Sequence, residues 1–379
     1  MMWLLLFGLT ALAVLLPMVP AIVEWARPSD VVPLHIDNQD ALDPAFLARA
    51  FAARLVEAVG QRQPRLGRSL IAIAPVMGPW PLNPAERDVG LTRRVWHAQG
   101  DVALPAELTF LAEVAAGGHL RTAPNRVYRA LWAGDNLQVS AHNTVLRWAH
   151  GTQVDVAEGC RLAGRISADL RLTVWGPANF SLLHAPVIRF SVNADEAVLA
   201  AATPMSWLEV ATGGLRAPVS WDDVAGRGTC DVALDIVSGM AWRGDLVCRA
   251  DLTLGVACNA QGSLKVRGAL VAAAGCRFSG NLVTEGHIEL GDGCQVLGSV
   301  ISETEIVLGR GCVIGAPGKP ATVAAPRIVV APGVVVHGTV WAGEMGKITG
   351  AGVPSKAPKH ATRSIDFSSH PLPWSDGLA

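Results

Sequence analysis

The sequence predicts an all-β fold: a parallel β-helix with 17–18 residues per rung, preceded by one transmembrane helix and a short helical stalk. Three observations carry that expectation. Residues return in register every 18 positions between about 244 and 345, a looser repeat begins near 93, and the composition is 17% charged and 50% apolar with 39 glycines. Few charges and many turn formers suit stacked strands better than a helical bundle. The net charge of −1 supplies no basic field, so nucleic acid is not an expected partner.

Residues 1–25 hold the anchor. The stretch Trp3 to Val23 carries no charge and is long enough to span a bilayer core as a helix. No Lys or Arg precedes it and no small-x-small cleavage site follows, which favours a retained anchor over a signal peptide. Arg27, Arg49, Arg54, Arg62, Arg65 and Arg68 come after it, so the positive-inside rule leaves the body cytoplasmic.

Residues 26–92 form the stalk. Asp43-Pro44 starts a helix that reaches about Val59, with Leu47, Ala50, Phe51, Leu55 and Ala58 on its apolar face. Gly60 ends it. A Pro- and Arg-rich linker follows, with one strand expected over Ser69 to Ala74.

The first β-helix segment spans 93–174. Val102, Leu120, Leu137, Val154 and Leu172 recur at intervals of 17 or 18, each with a same-face neighbour two residues on. The register lapses over 175–243, which is either an insertion or a set of degenerate rungs. It resumes over 244–345, where Leu252, Leu270, Ile288 and Ile306 form one column. Cys258, Cys276, Cys294 and Cys312 form a second, and Gly262, Gly280 and Gly298 a third. Stacked equivalents lie about 4.8 Å apart, so inward columns must be apolar and of constant size, while corners favour Gly, Asn or Asp. No rung buries its inner face alone, and stability accumulates through neighbours. Residues 346–379 are expected to be a disordered tail.

No residue type stands out as catalytic, cofactor-binding or metal-ligating. The seven cysteines form no CxxC pair, and Val334 occupies the cysteine place in the last rung, which favours core filling over a redox ladder. The histidines form no HExxH or HxH motif. Trp132, Trp148 and Trp341 sit beside turns, where aromatic residues serve either packing or glycan contact.

The runs Gly286-His-Ile-Glu-Leu-Gly-Asp-Gly-Cys-Gln-Val-Leu-Gly-Ser-Val, Ile306-Val-Leu-Gly-Arg-Gly-Cys-Val-Ile-Gly and Ile328-Val-Val-Ala-Pro-Gly-Val-Val-Val-His-Gly resemble the rung motif of bactofilins, the polymer-forming cytoskeletal proteins of bacteria. The resemblance implies a right-handed β-helix that assembles end to end without a nucleotide cofactor and organises cell-envelope machinery at the inner membrane. It implies a non-enzymatic scaffold, here anchored to the inner membrane through residues 3–23, whose partners are itself, through a homo-oligomer or filament, and cell-envelope proteins. The chain departs from the typical member in its long anchor and its split array. Within that reading, Ile328, Val330, Val334, Val335, Val336 and Trp341 of the Val-rich final rung form the expected self-association edge, because no capping helix follows them. Two other functions suit a β-helix: an acyltransferase-type enzyme and an envelope glycan-binding module. The hexapeptide phase of the former fails, since Ile288 and Leu290 stand two apart on one face.

Overall fold

A computed structural model describes residues 2–19, 23, 25, 43–59, 65–66, 71–76, 84–191, 215 and 218–350, of which 65–66 and 71–76 are described by backbone alone. The expected tail over 346–379 begins too early, since residues 346–348 continue the last strand by pairing with the rung before it; its part beyond 350 and most of the 60–83 linker lie outside the described residues.

The chain divides into two compact units, residues 1–43 and 44–379. The first contains helix α1, Met2–Leu15, followed by a 3₁₀ turn over Leu16–Met18 that carries Pro17. Proline removes a donor and fixes φ, so the helix ends before it. Fourteen residues at 1.5 Å each span about 21 Å, short of a hydrocarbon core of about 30 Å. No helix among the described residues is long and apolar enough to cross a membrane. The expected spanning helix is therefore unsupported, although Met2, Trp3, Phe7, Leu9, Leu12 and Leu15 are all exposed.

The second unit is a parallel β-solenoid of about 13 turns. It is built as two stacks. The first solenoid, residues 91–191, ends in three long strands that each wrap a whole rung: Thr144–Val156, Arg161–Trp175 and Ala178–Ser191. The second, residues 227–348, uses short strands, each paired in parallel with its equivalent one rung on, as Leu252↔Leu270, Leu270↔Ile288 and Ile288↔Ile306. These are the columns read from the sequence, and all four residues are fully buried. The 175–243 lapse resolves into regular rungs at both ends. Ala178–Ser191 stacks on Arg161–Trp175, and Leu234–Ile236 stacks on Leu252–Leu254. Residues 192–214 lie outside the described residues.

Corners are closed by side chains of the neighbouring rung. Asp245 Oδ1 accepts from Ser263 N at 2.7 Å, Asp251 Oδ1 from Ala269 N at 2.8 Å, Asn281 Oδ1 from Ser299 N at 2.8 Å and Asp292 Oδ1 from Arg310 N at 2.7 Å, always 18 residues apart. An amide that points along the axis at a corner has no ladder partner, and a short polar side chain supplies one.

Helix α2, Phe46–Val59, begins two residues after the expected Pro44 and lies on the outside of the first solenoid. Its buried residues are Ala48, Phe51, Leu55 and Ala58, clustered with Val95, Ala112, Ala115, Ala130 and Trp148. Small residues on the sheet let the helix approach closely. Helix α3, Pro84–Val89, covers the start of the first solenoid. There the buried Glu86 accepts from Thr92 Oγ1 at 2.7 Å and Arg94 Nε at 2.9 Å, and Trp96 Nε1 donates to Thr92 Oγ1 at 3.0 Å.

The two solenoids meet head-on. Ala178–Ser191, the last rung of the first, pairs antiparallel with Val334–Ile348, the last strand of the second. The register runs around all three sides: Phe180↔Gly346, Leu182↔Trp341, Leu183↔Val340, His184↔Thr339, Ile188↔Val336 and Phe190↔Val334. Leu183, Ile188, Val336 and Val340 are fully buried, and one continuous apolar core runs through both stacks.

Candidate functional site

The solenoid ends are where this fold offers chemistry to a partner, because a terminal rung leaves a row of unpaired N–H and C=O groups. Four ends exist, and two of them are consumed by the junction. The expected self-association edge is among these. Val334, Val335 and Val336 pair with Phe190, Arg189 and Ile188, and Trp341 pairs with Leu182. Ile328 and Val330 lie one rung deeper, between Ile306 and Leu308 on one side and Gly346 and Ile348 on the other. The final rung is thus not an open edge in this chain; its own first half covers it. Nothing in the local sequence of 328–341 signals a cap that lies some 150 residues upstream.

Of the two remaining ends, that of the first solenoid is covered on one side by the strand Ile71–Val76, with Arg65–Leu66 turning back antiparallel on it, and touched on a second by Glu86 of α3, while Val102–Ala103 is paired on one edge only, among the described residues. The start of the second solenoid is barer. Ser220–Asp222 covers Arg227–Thr229 antiparallel, and Trp221 Nε1 donates to Leu215 O at 2.8 Å. On the other two sides, Leu234–Ile236 and Ala241–Arg243 are paired on one edge only, among the described residues. Val232 and Val237 are 54% and 66% exposed beside them. Trp242 fills the interior there and stacks over Ala260, whose small side chain makes room for the indole.

The cysteines are all free and buried. Each thiol of the column donates to a carbonyl 21 residues back at the preceding corner: Cys258 to Val237 O at 3.3 Å, Cys276 to Gly255 O at 3.1 Å, Cys294 to Ala273 O at 3.2 Å and Cys312 to Gly291 O at 3.2 Å. The residue before each of these four cysteines has positive φ, from +58° at Ala257 to +71° at Gly275. Hydrogen bonding to Cys276 and burial push the Cys258 thiol up. The contact with Cys258 pulls the Cys276 thiol down, but the contact with Cys294 and burial outweigh it, leaving it at about 11. Cys294 stands at about 12 by the same balance, with Cys276 lowering it and Cys312 and burial raising it. Thiols held protonated in this way are poor nucleophiles and poor metal ligands.

The tryptophan corners separate. Trp132 and Trp148 are not register equivalents, since Trp132 pairs with His150 and Ala130 with Trp148. Trp148 is buried under α2, with its ring centroid 5.2 Å from that of Phe51. Trp341 alone of the three is exposed. Beneath α2 the buried His150 meets Ser167 Oγ through Nδ1 at 2.9 Å and Asp169 through Nε2 at 3.5 Å, and Arg49 of α2 reaches Asp169 at 3.5 Å. Ser167 is 2% exposed, and the cluster ties the helix to the sheet through Arg49 and Asp169. His119 lines a shallow open groove with Asp101, Arg121, Asn136 and Gln138. Among the described residues no three His, Cys, Asp or Glu side chains converge as a metal site. No family model, curated protein or solved structure matches the chain.

Proposed function

We propose that the chain is a membrane-anchored, bactofilin-like scaffold that self-associates through a solenoid end and organises cell-envelope machinery, without catalysis of its own. The observation that supports it most is the junction: two solenoids of this chain already pair end to end around a full rung, with their cores continuous. The reading takes the same contact to other copies at the barest end, Leu234–Ile236 and Ala241–Arg243. The exposed apolar helix α1 is its membrane attachment, the body is cytoplasmic, and the solenoid hand is right-handed, as in the family it resembles.

Sedimentation and electron microscopy of the full-length protein test the idea. Concentration-dependent oligomers or filaments are expected, lost on placing charge at the free end with Val237→Asp and retained with Leu146→Asp, an exposed position on the first solenoid away from that end. A strict monomer at high concentration overturns it.

A further inference from the structure

One face of both solenoids runs through the junction as a single sheet. Helix α2 occupies its upstream part, over Ala130 and Trp148. In strand register Trp148 is followed by Arg165 and then Leu182. Beyond the helix the same outward row continues through Leu182, Trp341, Ala324, Ile301 and Val283, each paired with the next. Nothing among the described residues covers this part. Trp341 is 55% exposed and Ile301 40%, while Leu182, Ala324 and Val283 are half-buried.

We infer that this apolar row is a docking seat for an amphipathic helix of a partner protein. Three observations favour that occupant. First, the row continues the seat on which the chain's own α2 already lies. There Phe51 and Leu55 cluster with alanines and a tryptophan, and here Ala324 leaves a dip between Trp341 and Ile301. Second, the lengths agree. Five strands at about 4.8 Å span about 19 Å, which is about 13 residues of helix at 1.5 Å each, and α2 has 14. Third, the edge of the row carries more acid than base. Glu285 and Glu303 stand two residues past Val283 and Ile301, with Glu305 and Glu344 close by, while Arg267 and Arg327 offset part of that charge through ion pairs with Glu285, Glu305 and Glu344. The partner helix therefore carries apolar residues at i, i+3 or i+4, and i+7, with Lys or Arg on one flank. A central exposed Trp is the kind of residue that dominates such contacts. The seat does not depend on self-association.

The test uses the full-length protein and a fluorescein-labelled 14-residue peptide with Leu and Phe at that spacing and Lys on its flank, read by anisotropy. Saturable binding is expected, weakened about tenfold or more by Trp341→Asp and separately by Ile301→Asp, and unchanged by Val256→Asp at an exposed corner elsewhere. Two substitutions guard against one of them perturbing the fold. The inference is overturned if no saturable binding occurs, or if a scrambled peptide binds equally. It is also overturned if binding survives both substitutions, or if Ile301→Asp instead dissociates an oligomer of the chain, which would make the occupant a second copy.

Discussion

A buried thiol that donates to a corner carbonyl is replaceable by shape but not by charge. Val334 already stands where Cys312 stands one rung earlier, so Cys294→Val should cost no more than about 1.5 kcal/mol. Cys294→Asp buries a carboxyl among apolar neighbours and should unfold the stack. Chemical denaturation distinguishes the two. Alkylation by iodoacetamide at pH 7.5 should be negligible until denaturant is added, because the thiols are buried. Gly338 is a second residue whose identity follows from its surroundings. Its φ is +126°, and a Cβ there would stand 2.3 Å from Ala321 O. Gly338→Ala should therefore destabilise the closing rung by about 2 kcal/mol or more. At this scale the sequence was informative. Constant size at Leu252, Leu270, Ile288 and Ile306 and short polar groups at Asp251 and Asp292 follow from stacking geometry alone. The thiol-to-carbonyl bonds were not readable, because they depend on where a carbonyl 21 residues away points.

Among elements, α2 was legible as an amphipathic helix, but its seat was not. The expected apolar face included Ala50, whereas the buried set is Ala48, Phe51, Leu55 and Ala58. The sheet chooses the contact stripe through Ala112, Ala115 and Ala130, which are small for a reason visible only once the helix is laid on them. Phe51→Ala should cost about 3 kcal/mol locally and shift Trp148 emission to the red as water reaches its ring. The strand Val334–Ile348 adds a pH dependence. His337 Nδ1 meets Pro186 O at 3.1 Å across the junction, and burial lowers its pKa, with Arg189 adding to the effect. The folded state then binds fewer protons than the unfolded chain, so this contribution is complete above pH 6.5 and is lost as pH falls below that value. Denaturation midpoints should drop between pH 7.5 and 5.5, and His337→Asn should flatten that part of the drop.

For the whole molecule, the head-on junction decides which surfaces are free. A one-dimensional repeat pattern reports that rungs stack, but it carries no sign of two stacks facing each other. The antiparallel register of Ile188 with Val336 joins residues far apart in sequence and leaves no local trace. The Val-rich rung therefore looked like an open edge when read alone. One continuous core predicts a single calorimetric transition for the two stacks. Ile188→Asp, facing Val336 with no exposure, should split that transition in two and lower the first. A single unshifted transition would show the junction to be dispensable.

Synthesis imposes an order on this architecture. The first stack is complete when Ser191 is made, but the strand that covers its last rung begins at Val334. At about 5–20 residues per second, the ribosome needs roughly 7–30 s to supply it. For that interval the edge of Ala178–Ser191 is exposed to any neighbouring nascent chain. The rate of translation through residues 192–333, or a chaperone acting during it, thus governs how much of the newly made protein closes upon itself and how much is captured by others.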